Sequence, residues 1–166
     1  MKDNALFYTC SLIEYIGRRK CRDRAAVVHK IGAKRIARIY RDADVLHCEP
    51  IEKISDEFVS MSRIYRGKFD NIGSCRYIIP DYWDIGDVYC RLITDVNEGD
   101  IVATLFDVYN SKLSRGIQNY NSALYYQPRE LLKEVFLEEK NLIKWLVFWF
   151  QEIKIFMEGN SQKIAV

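Results

Sequence analysis

The sequence predicts an all-α fold, a single-domain bundle of about six to seven helices with a long apolar helix at its C-terminal end. Apolar residues recur at spacings of three and four along most of the chain, which is typical of amphipathic helices. The 166 residues include only 3 prolines and 8 glycines, so few positions interrupt a helix. With 49% hydrophobic and 29% charged residues, the chain has the composition of a folded protein that buries a sizeable core.

Four helices are predicted in the first part of the chain. Residues 4–19 carry an apolar face and lead into a cluster of cations, which the C-terminal end of a helix dipole favours. Asp23 is a good N-cap for a second helix, and Gly32 is a good stop for it. A third helix is expected over residues 34–46, with an apolar stripe inward and most of its cations elsewhere. Pro50 stands where a fourth helix begins, at the position that proline favours.

The clearest helical pattern lies in residues 81–97, where apolar residues recur at i, i+3, i+4, i+7, i+8 and i+11. Asp81 can cap this helix, and the amphipathic segments on both sides predict a central place for it. Residues 62–79 are expected to form a loop that ends in a short extended piece before Pro80. Asp100 is the expected cap of a sixth helix that continues to residue 113.

The last helix is expected to begin at Pro128 and to reach residue 157, after a tyrosine-rich stretch at 114–127 that we expect to be a loop or a short helix. Twelve of the sixteen residues from 142 to 157 are apolar, which predicts burial on most sides within the same domain. The alternative is an interface with a second copy or a partner, because this much aromatic surface exceeds a usual exposed patch. The candidate interface residues are Trp145, Trp149 and Phe156.

The chain is expected to be one helical domain over residues 1–166. A subdivision into basic N-terminal helices at 1–62 and central and C-terminal helices at 63–166 is the alternative. No signal peptide and no membrane span are expected, because polar residues interrupt every apolar run before it reaches the length of a span. The predicted location is therefore the cytoplasm.

Neither a metal site nor a cofactor is expected. The five cysteines are widely spaced, with no Cys-x-x-Cys pair, so they are interpreted as reduced side chains that pack as small hydrophobes. A structural zinc site normally has closely spaced ligand pairs, and only two histidines are present to complete one. Phosphate-binding glycine loops and the common hydrolase motifs are also missing from the sequence.

Positive charge is concentrated in residues 18–41. This window holds ten basic residues and one acid, a net charge of +9, whereas the whole chain carries +2. Three interpretations stay open: a solvated surface that balances an acidic remainder, a nucleic-acid-binding surface, and a docking surface for an acidic protein. The candidate partner-binding residues are Arg18, Arg19, Lys20, Arg22, Lys34, Arg35, Arg38 and Arg41.

Two Arg–His pairs offer an enzymatic alternative. Arg24 precedes His29 by five positions, and Arg41 precedes His47 by six. These spacings resemble the Arg-x(4–6)-His motif of the HEPN family of helical ribonucleases, which act without a metal. In that family an Arg and a His face each other across a dimer cleft, where Arg can stabilise phosphorane charge and His can move a proton.

The N-terminal third also carries a family resemblance over about residues 5–59. The matching features are residues 7–10 and Glu14, the pair Val27 and Val28, the pair Ile39 and Tyr40, and residues 44–47. On these residues the chain resembles small uncharacterised bacterial helical proteins, some of which accompany ADP-ribosyltransferase-like toxins and look like antitoxins. Residues 80–91 are similar to sequence in other uncharacterised bacterial proteins. The resemblance implies a toxin–antitoxin or defence context, with a toxin as partner.

Together these observations predict a non-enzymatic protein that binds another macromolecule, with an antitoxin-like or defence-associated role. Its partner is expected to be a protein, and a homodimer is a further expectation from the C-terminal helix. The alternatives are a HEPN-like ribonuclease, using Arg24 and His29 or Arg41 and His47, and a nucleic-acid-binding regulator that uses the basic window.

Overall fold

The computed structural model describes residues 3–161, with side chains described for residues 3–144 and 146. These residues form α-helices and one short 3₁₀ helix, and no strand occurs among them, so the predicted all-α class is confirmed. The elements are α1 Asn4–Arg19, α2 Arg24–Ile31, α3 Ala33–Arg41, α4 Ala43–Leu46, α5 Ile51–Ser62, α6 Tyr82–Val96, α7 Ile101–Asn110, α8 Lys112–Gln118, the 3₁₀ turn Leu124–Tyr126 and α9 Arg129–Ser161.

Local capping sets several of the helix starts. The side chains of Asp3, Asp23, Asp81 and Asp100 each accept hydrogen bonds from backbone N–H groups in the first turn of α1, α2, α6 and α7. Each cap satisfies donors that have no partner within the helix. The predicted starts at Asp23, Asp81 and Asp100 are therefore confirmed.

The predicted number of helices is too low. The expected third helix divides at Asp42 into α3 and α4, and the expected sixth helix ends before Ser111, whose hydroxyl caps α8 by accepting from Ser114 N–H. Residues 114–127 contain most of α8 and the 3₁₀ turn. At each division, two shorter helices stand where the sequence predicts one.

Helix α1 lies at the centre of the fold together with α6. It contacts α2, α3, α4 and α5 and packs most extensively against α6. The two helices approach closely at Gly86, where an added Cβ would lie 2.1 Å from the Ser11 hydroxyl oxygen and 2.8 Å from Ser11 Cα. Residues from both halves of the chain, from Leu6 to Phe136, form one hydrophobic cluster.

The C-terminal helix differs from the expectation of an apolar helix buried on most sides. Near its start, Leu132 and Phe136 are buried, and α9 packs against α6 and α8. Further along, three apolar side chains are exposed by 37–55%: Leu142, Ile143 and Leu146. Within the part of the chain that the structure describes, no helix combines the length and the apolar composition needed to cross a membrane. The side chains of Trp145, Trp149 and Phe156 lie outside the described residues, so the predicted interface stays a prediction.

Candidate functional site

The basic window divides into a buried part and an exposed part. Arg24, the first residue of α2, is completely buried and forms a two-point ion pair with Glu14 of α1, which is also completely buried. The Arg24 guanidinium donates from Nε to Glu14 Oε2 at 2.8 Å and from Nη2 to Glu14 Oε1 at 2.6 Å. Gly17 makes room for this side chain, because a Cβ there would lie 2.7 Å from Arg24 Cδ.

Polar groups from distant segments complete the network around this ion pair. Arg18 Nε donates to Glu14 at 2.8 Å, and the Tyr120 hydroxyl donates to the same carboxylate. Arg24 Nη2 also donates to Asn71 Oδ1 at 3.3 Å. The buried charge network (Glu14, Arg18, Arg24, Asn71 and Tyr120) thereby ties α1 and α2 to the loop before α6 and to the segment after α8.

The network shifts the ionisation of its acid strongly. Burial alone would raise the pKa of Glu14, but the positive charges of Arg24 and Arg18 and the hydrogen bonds from Arg24 and Tyr120 outweigh burial and lower this pKa to about 2. Burial raises the pKa of Tyr120, and the neighbouring Glu14 carboxylate raises it further. Glu14 is therefore an anion and Tyr120 a neutral hydrogen-bond donor at neutral pH.

Most of the basic residues around the α1–α2 connection also bind groups of this chain. Arg18 donates from Nη1 to the Pro80 carbonyl oxygen at 2.8 Å. Arg19 pairs with Asp56 of α5 at 2.9 Å. Arg22 donates to the Tyr65 carbonyl oxygen at 2.8 Å. These contacts hold the loop between α5 and α6, and α5 itself, against the end of α1 and the segment that follows it. Three of the candidate partner-binding residues therefore stabilise the fold. Lys20, a fourth candidate, is half-buried and is the C-cap of α1.

Three exposed cations of the window align on one face of α3. At 3.6 residues per turn, Lys34, Arg38 and Arg41 fall within about 60° of one another, on the side opposite the buried Ile36 and Ile39. We call these three residues the α3 basic face. Their side chains are exposed, with Arg38 at 63% and Arg41 at 73%.

Acidic and apolar groups accompany this face. Asp42 accepts from Arg41 Nε at 2.7 Å and pairs with Arg38 at 3.5 Å. The hydrogen bond from Arg41 lowers the pKa of Asp42, so the carboxylate stays ionised. Val45, one turn beyond Arg41, is 73% exposed. The surface is therefore a mixture of cations, an internal acid and an exposed apolar residue.

Arg35, the remaining candidate partner-binding residue, is also exposed. It donates to the Ile31 carbonyl oxygen at 3.3 Å.

Within one chain, the structure does not bring the two members of either Arg–His pair into contact. Arg24 is enclosed in the buried charge network, whereas His29 is exposed and its Nε2 hydrogen-bonds Asn110 Oδ1 at 2.9 Å. Arg41 pairs with Asp42 on the outer side of α3, and His47 lies beyond α4 with Nδ1 directed to the Ala43 carbonyl oxygen at 3.2 Å. An Arg–His cleft within one described chain thus receives no support, and the ribonuclease alternative stays a prediction.

No group of three or more metal-ligating side chains is found among the described residues. All five cysteines are free, and three of them, Cys10, Cys21 and Cys90, are buried. Burial raises the pKa of the Cys10 thiol well above its ordinary value, so this thiol stays protonated.

Comparison of the chain with protein-family models, with curated proteins and with solved structures found no match. The residues and contacts described above therefore carry the functional argument.

Sequence reasoning missed the buried charge network, although one signal for it was present. Glu14 falls on the same helical face as Cys10 and Gly17, between apolar positions that α1 buries. An acid at a core position of a helix requires a buried cation or hydrogen-bond donors, since an isolated buried carboxylate is very unfavourable. That rule predicts a partner for Glu14, but the partner's identity depends on the tertiary fold.

Proposed function

We propose that this chain is a non-enzymatic binding protein of the bacterial cytoplasm that uses the α3 basic face to dock on an acidic surface of a partner protein. The observation that carries the proposal is the outward alignment of Lys34, Arg38 and Arg41 on a helix whose opposite side is anchored in the core. The anchor keeps the cations in a fixed arrangement, which reduces the entropy lost on binding.

The composition of the surface favours a protein partner over nucleic acid. Asp42 pairs with Arg38 and Arg41, and Asp44 is exposed two residues later, so phosphates would meet two carboxylates as well as the arginines. An acidic protein surface can instead pair with the arginines and cover Val45, which is exposed beside them. The resemblance to antitoxin-like proteins supports the same class of partner, a toxin or another defence component.

The test is capture of the partner by tagged protein expressed in its native host, with the sample divided into nuclease-treated and untreated halves. The variant Lys34→Glu/Arg38→Glu reverses two charges on the α3 basic face. Arg115→Glu/Lys133→Glu makes the same charge change at exposed positions on α8 and α9 and serves as the matched control.

The proposal would be supported by a protein that is captured in stoichiometric amount after nuclease treatment. The control variant should still capture this protein, and Lys34→Glu/Arg38→Glu should not. Equal capture by both variants would contradict it. Capture in the untreated half alone would instead favour the nucleic-acid-binding regulator. The affinity of such a regulator for nucleic acid should fall steeply as salt is raised, because its Lys and Arg side chains displace counterions from the phosphates.

Homodimer formation through the C-terminal helix is a second candidate role, which the exposed Leu142, Ile143 and Leu146 favour. Apolar side chains exposed together on one helix are a common feature of protein interfaces. Sedimentation of the wild type and of Leu142→Lys/Leu146→Lys tests it: a dimer that the substitution converts to a monomer supports the role, and an unchanged mass contradicts it.

A further inference from the structure

A cavity of about 280 Å³ lies where the first turns of α1 and α6 meet α4. Its lining combines aromatic and polar residues. The lining residues are Asn4, Phe7, Tyr8, Ala43, Asp44, His47 and Trp83. The cavity is slightly smaller than the usual range for small-molecule sites, which suggests a compact occupant such as one headgroup or one side-chain terminus.

Three of the lining residues are aromatic, and their rings contact one another. The Trp83 ring centroid lies 5.4 Å from that of Phe7, with an interplanar angle of 31°, and 6.5 Å from that of Tyr8, with an angle of 42°. Tyr82 packs behind Trp83 at 4.9 Å, and the buried Tyr8 ring is held by a hydrogen bond from its hydroxyl to the Leu46 carbonyl oxygen at 3.3 Å. The faces of such rings carry negative electrostatic potential, which attracts cations.

The lining also includes a carboxylate and an imidazole, those of Asp44 and His47. Asp44 is exposed at the start of α4 and forms no ion pair with the described residues, unlike its neighbour Asp42. His47 Nδ1 faces the Ala43 carbonyl oxygen at 3.2 Å. Because a carbonyl oxygen only accepts, Nδ1–H of His47 donates to it in this contact.

We propose that this cavity is a binding site for an organic cation, either a methylated ammonium group or a guanidinium group. Aromatic faces beside a carboxylate fit a weakly hydrated cation, because the rings cover its apolar surface while Asp44 balances its charge. An anion would instead meet the Asp44 carboxylate and three aromatic rings, a setting that disfavours negative charge. The same cation chemistry occurs in free quaternary ammonium compounds and in the methyl-lysine or arginine side chains of proteins. The site uses none of the α3 basic face, so it goes beyond the proposed function.

Calorimetric titration of the full chain with choline tests the proposal. The matched ligand is the neutral isostere of choline, in which a quaternary carbon replaces the nitrogen at nearly the same shape and volume. Choline is expected to bind about tenfold more tightly than this isostere, because only the charged ligand interacts with the ring faces and with Asp44. Equal binding of the two ligands would overturn the proposal, since the cavity would then select only shape and apolar surface.

Asp44→Asn removes the charge and keeps the shape of an exposed side chain, so it should fold normally and weaken choline binding about threefold to fivefold. Asp84→Asn, on the exposed side of α6 and outside the cavity, is the control and should leave binding unchanged. An unchanged affinity in Asp44→Asn would overturn the role of the carboxylate.

Two short peptides distinguish the sources of the cation, one with trimethyl-lysine and one with arginine at the centre. Tighter binding of either peptide than of choline would assign the site to a protein side chain, and the reverse order would assign it to a free small molecule. Absence of saturable binding by choline and by both peptides up to about 10 mM would overturn the proposal altogether.

Discussion

Replacing Glu14 by glutamine should destabilise the protein more than any surface substitution. The change keeps the shape of the side chain but removes its charge, and it turns one acceptor oxygen into an NH₂ group that faces the donors of Arg24 or Arg18. Arg24 is then a buried cation without a counter-charge. Breaking a buried ion pair in this way costs about 3–5 kcal/mol, a large share of the roughly 5–15 kcal/mol that stabilises a typical domain.

Urea unfolding at neutral pH, followed by far-ultraviolet circular dichroism, measures this loss. The control is Lys53→Gln, which removes an exposed ion pair with Glu49 at 3.0 Å and should cost less than about 1 kcal/mol. If Glu14→Gln lost no more free energy of unfolding than Lys53→Gln, the interpretation of the buried charge network as a strong structural element would be refuted.

The same residue predicts an acid dependence of stability. The pKa of Glu14 is 4.5 in the free side chain and about 2 in the fold. Since the folded value is the lower one, the stabilisation is complete above pH 4.5 and is lost as the pH falls towards 2. The difference corresponds to about 3 kcal/mol. The free energies of unfolding of wild type and Glu14→Gln should therefore converge over this range. A gap that stayed constant would contradict the assignment of the low pKa to Glu14.

Three further predictions concern packing, capping and thiol exposure. Gly86→Ala should lower the free energy of unfolding by about 1–3 kcal/mol, because the new Cβ would lie 2.1 Å from the Ser11 hydroxyl oxygen; thermal unfolding measures it. Asp100→Ala should cost about 1 kcal/mol in urea unfolding, because the side chain accepts from two N–H groups in the first turn of α7. In a thiol-reagent titration of the native protein, Cys48 should react fastest, since it is the exposed cysteine and the other four are buried or half-buried.

Each of these has a matched control. Gly99→Ala adds the same methyl group where no atom lies within 4 Å, so an equal loss in both glycine variants would contradict the packing argument. Asp100→Asn keeps a capping oxygen and should be nearly neutral; a loss equal to that of Asp100→Ala would point to charge rather than capping. Cys48→Ser should abolish the fastest thiol reaction, and its persistence would show that another thiol is accessible.

Helix positions were the most predictable feature of this protein, and the candidate site was predictable only in part. The starts at Asp23, Asp81 and Asp100 followed from capping, which depends on a few adjacent residues. The division of the third helix at Asp42 did not follow, because the helical periodicity continues through it. There α3 ends, and both α3 and α4 contact α1.

In the basic window, residues 18–41, the sequence likewise could not tell which cations are buried and which are exposed. Arg24 and Arg38 are two arginines in one run of positive charge, and no local pattern separates them. Arg24 is buried because Glu14, Asn71 and Tyr120, from three other segments, supply a counter-charge and acceptors that compensate for its desolvation. Arg38 stays exposed because the opposite face of α3 is the apolar one.

By itself, the sequence determined the helical class, the caps at Asp23, Asp81 and Asp100 and the apolar face of α6, because these depend on interactions within a few residues of chain. The tertiary structure decided which cations are structural, which are available to a partner, and that Phe7, Asp44 and Trp83 border one cavity. Those outcomes depend on contacts between residues far apart in the chain, because burial and charge compensation are properties of the packed molecule.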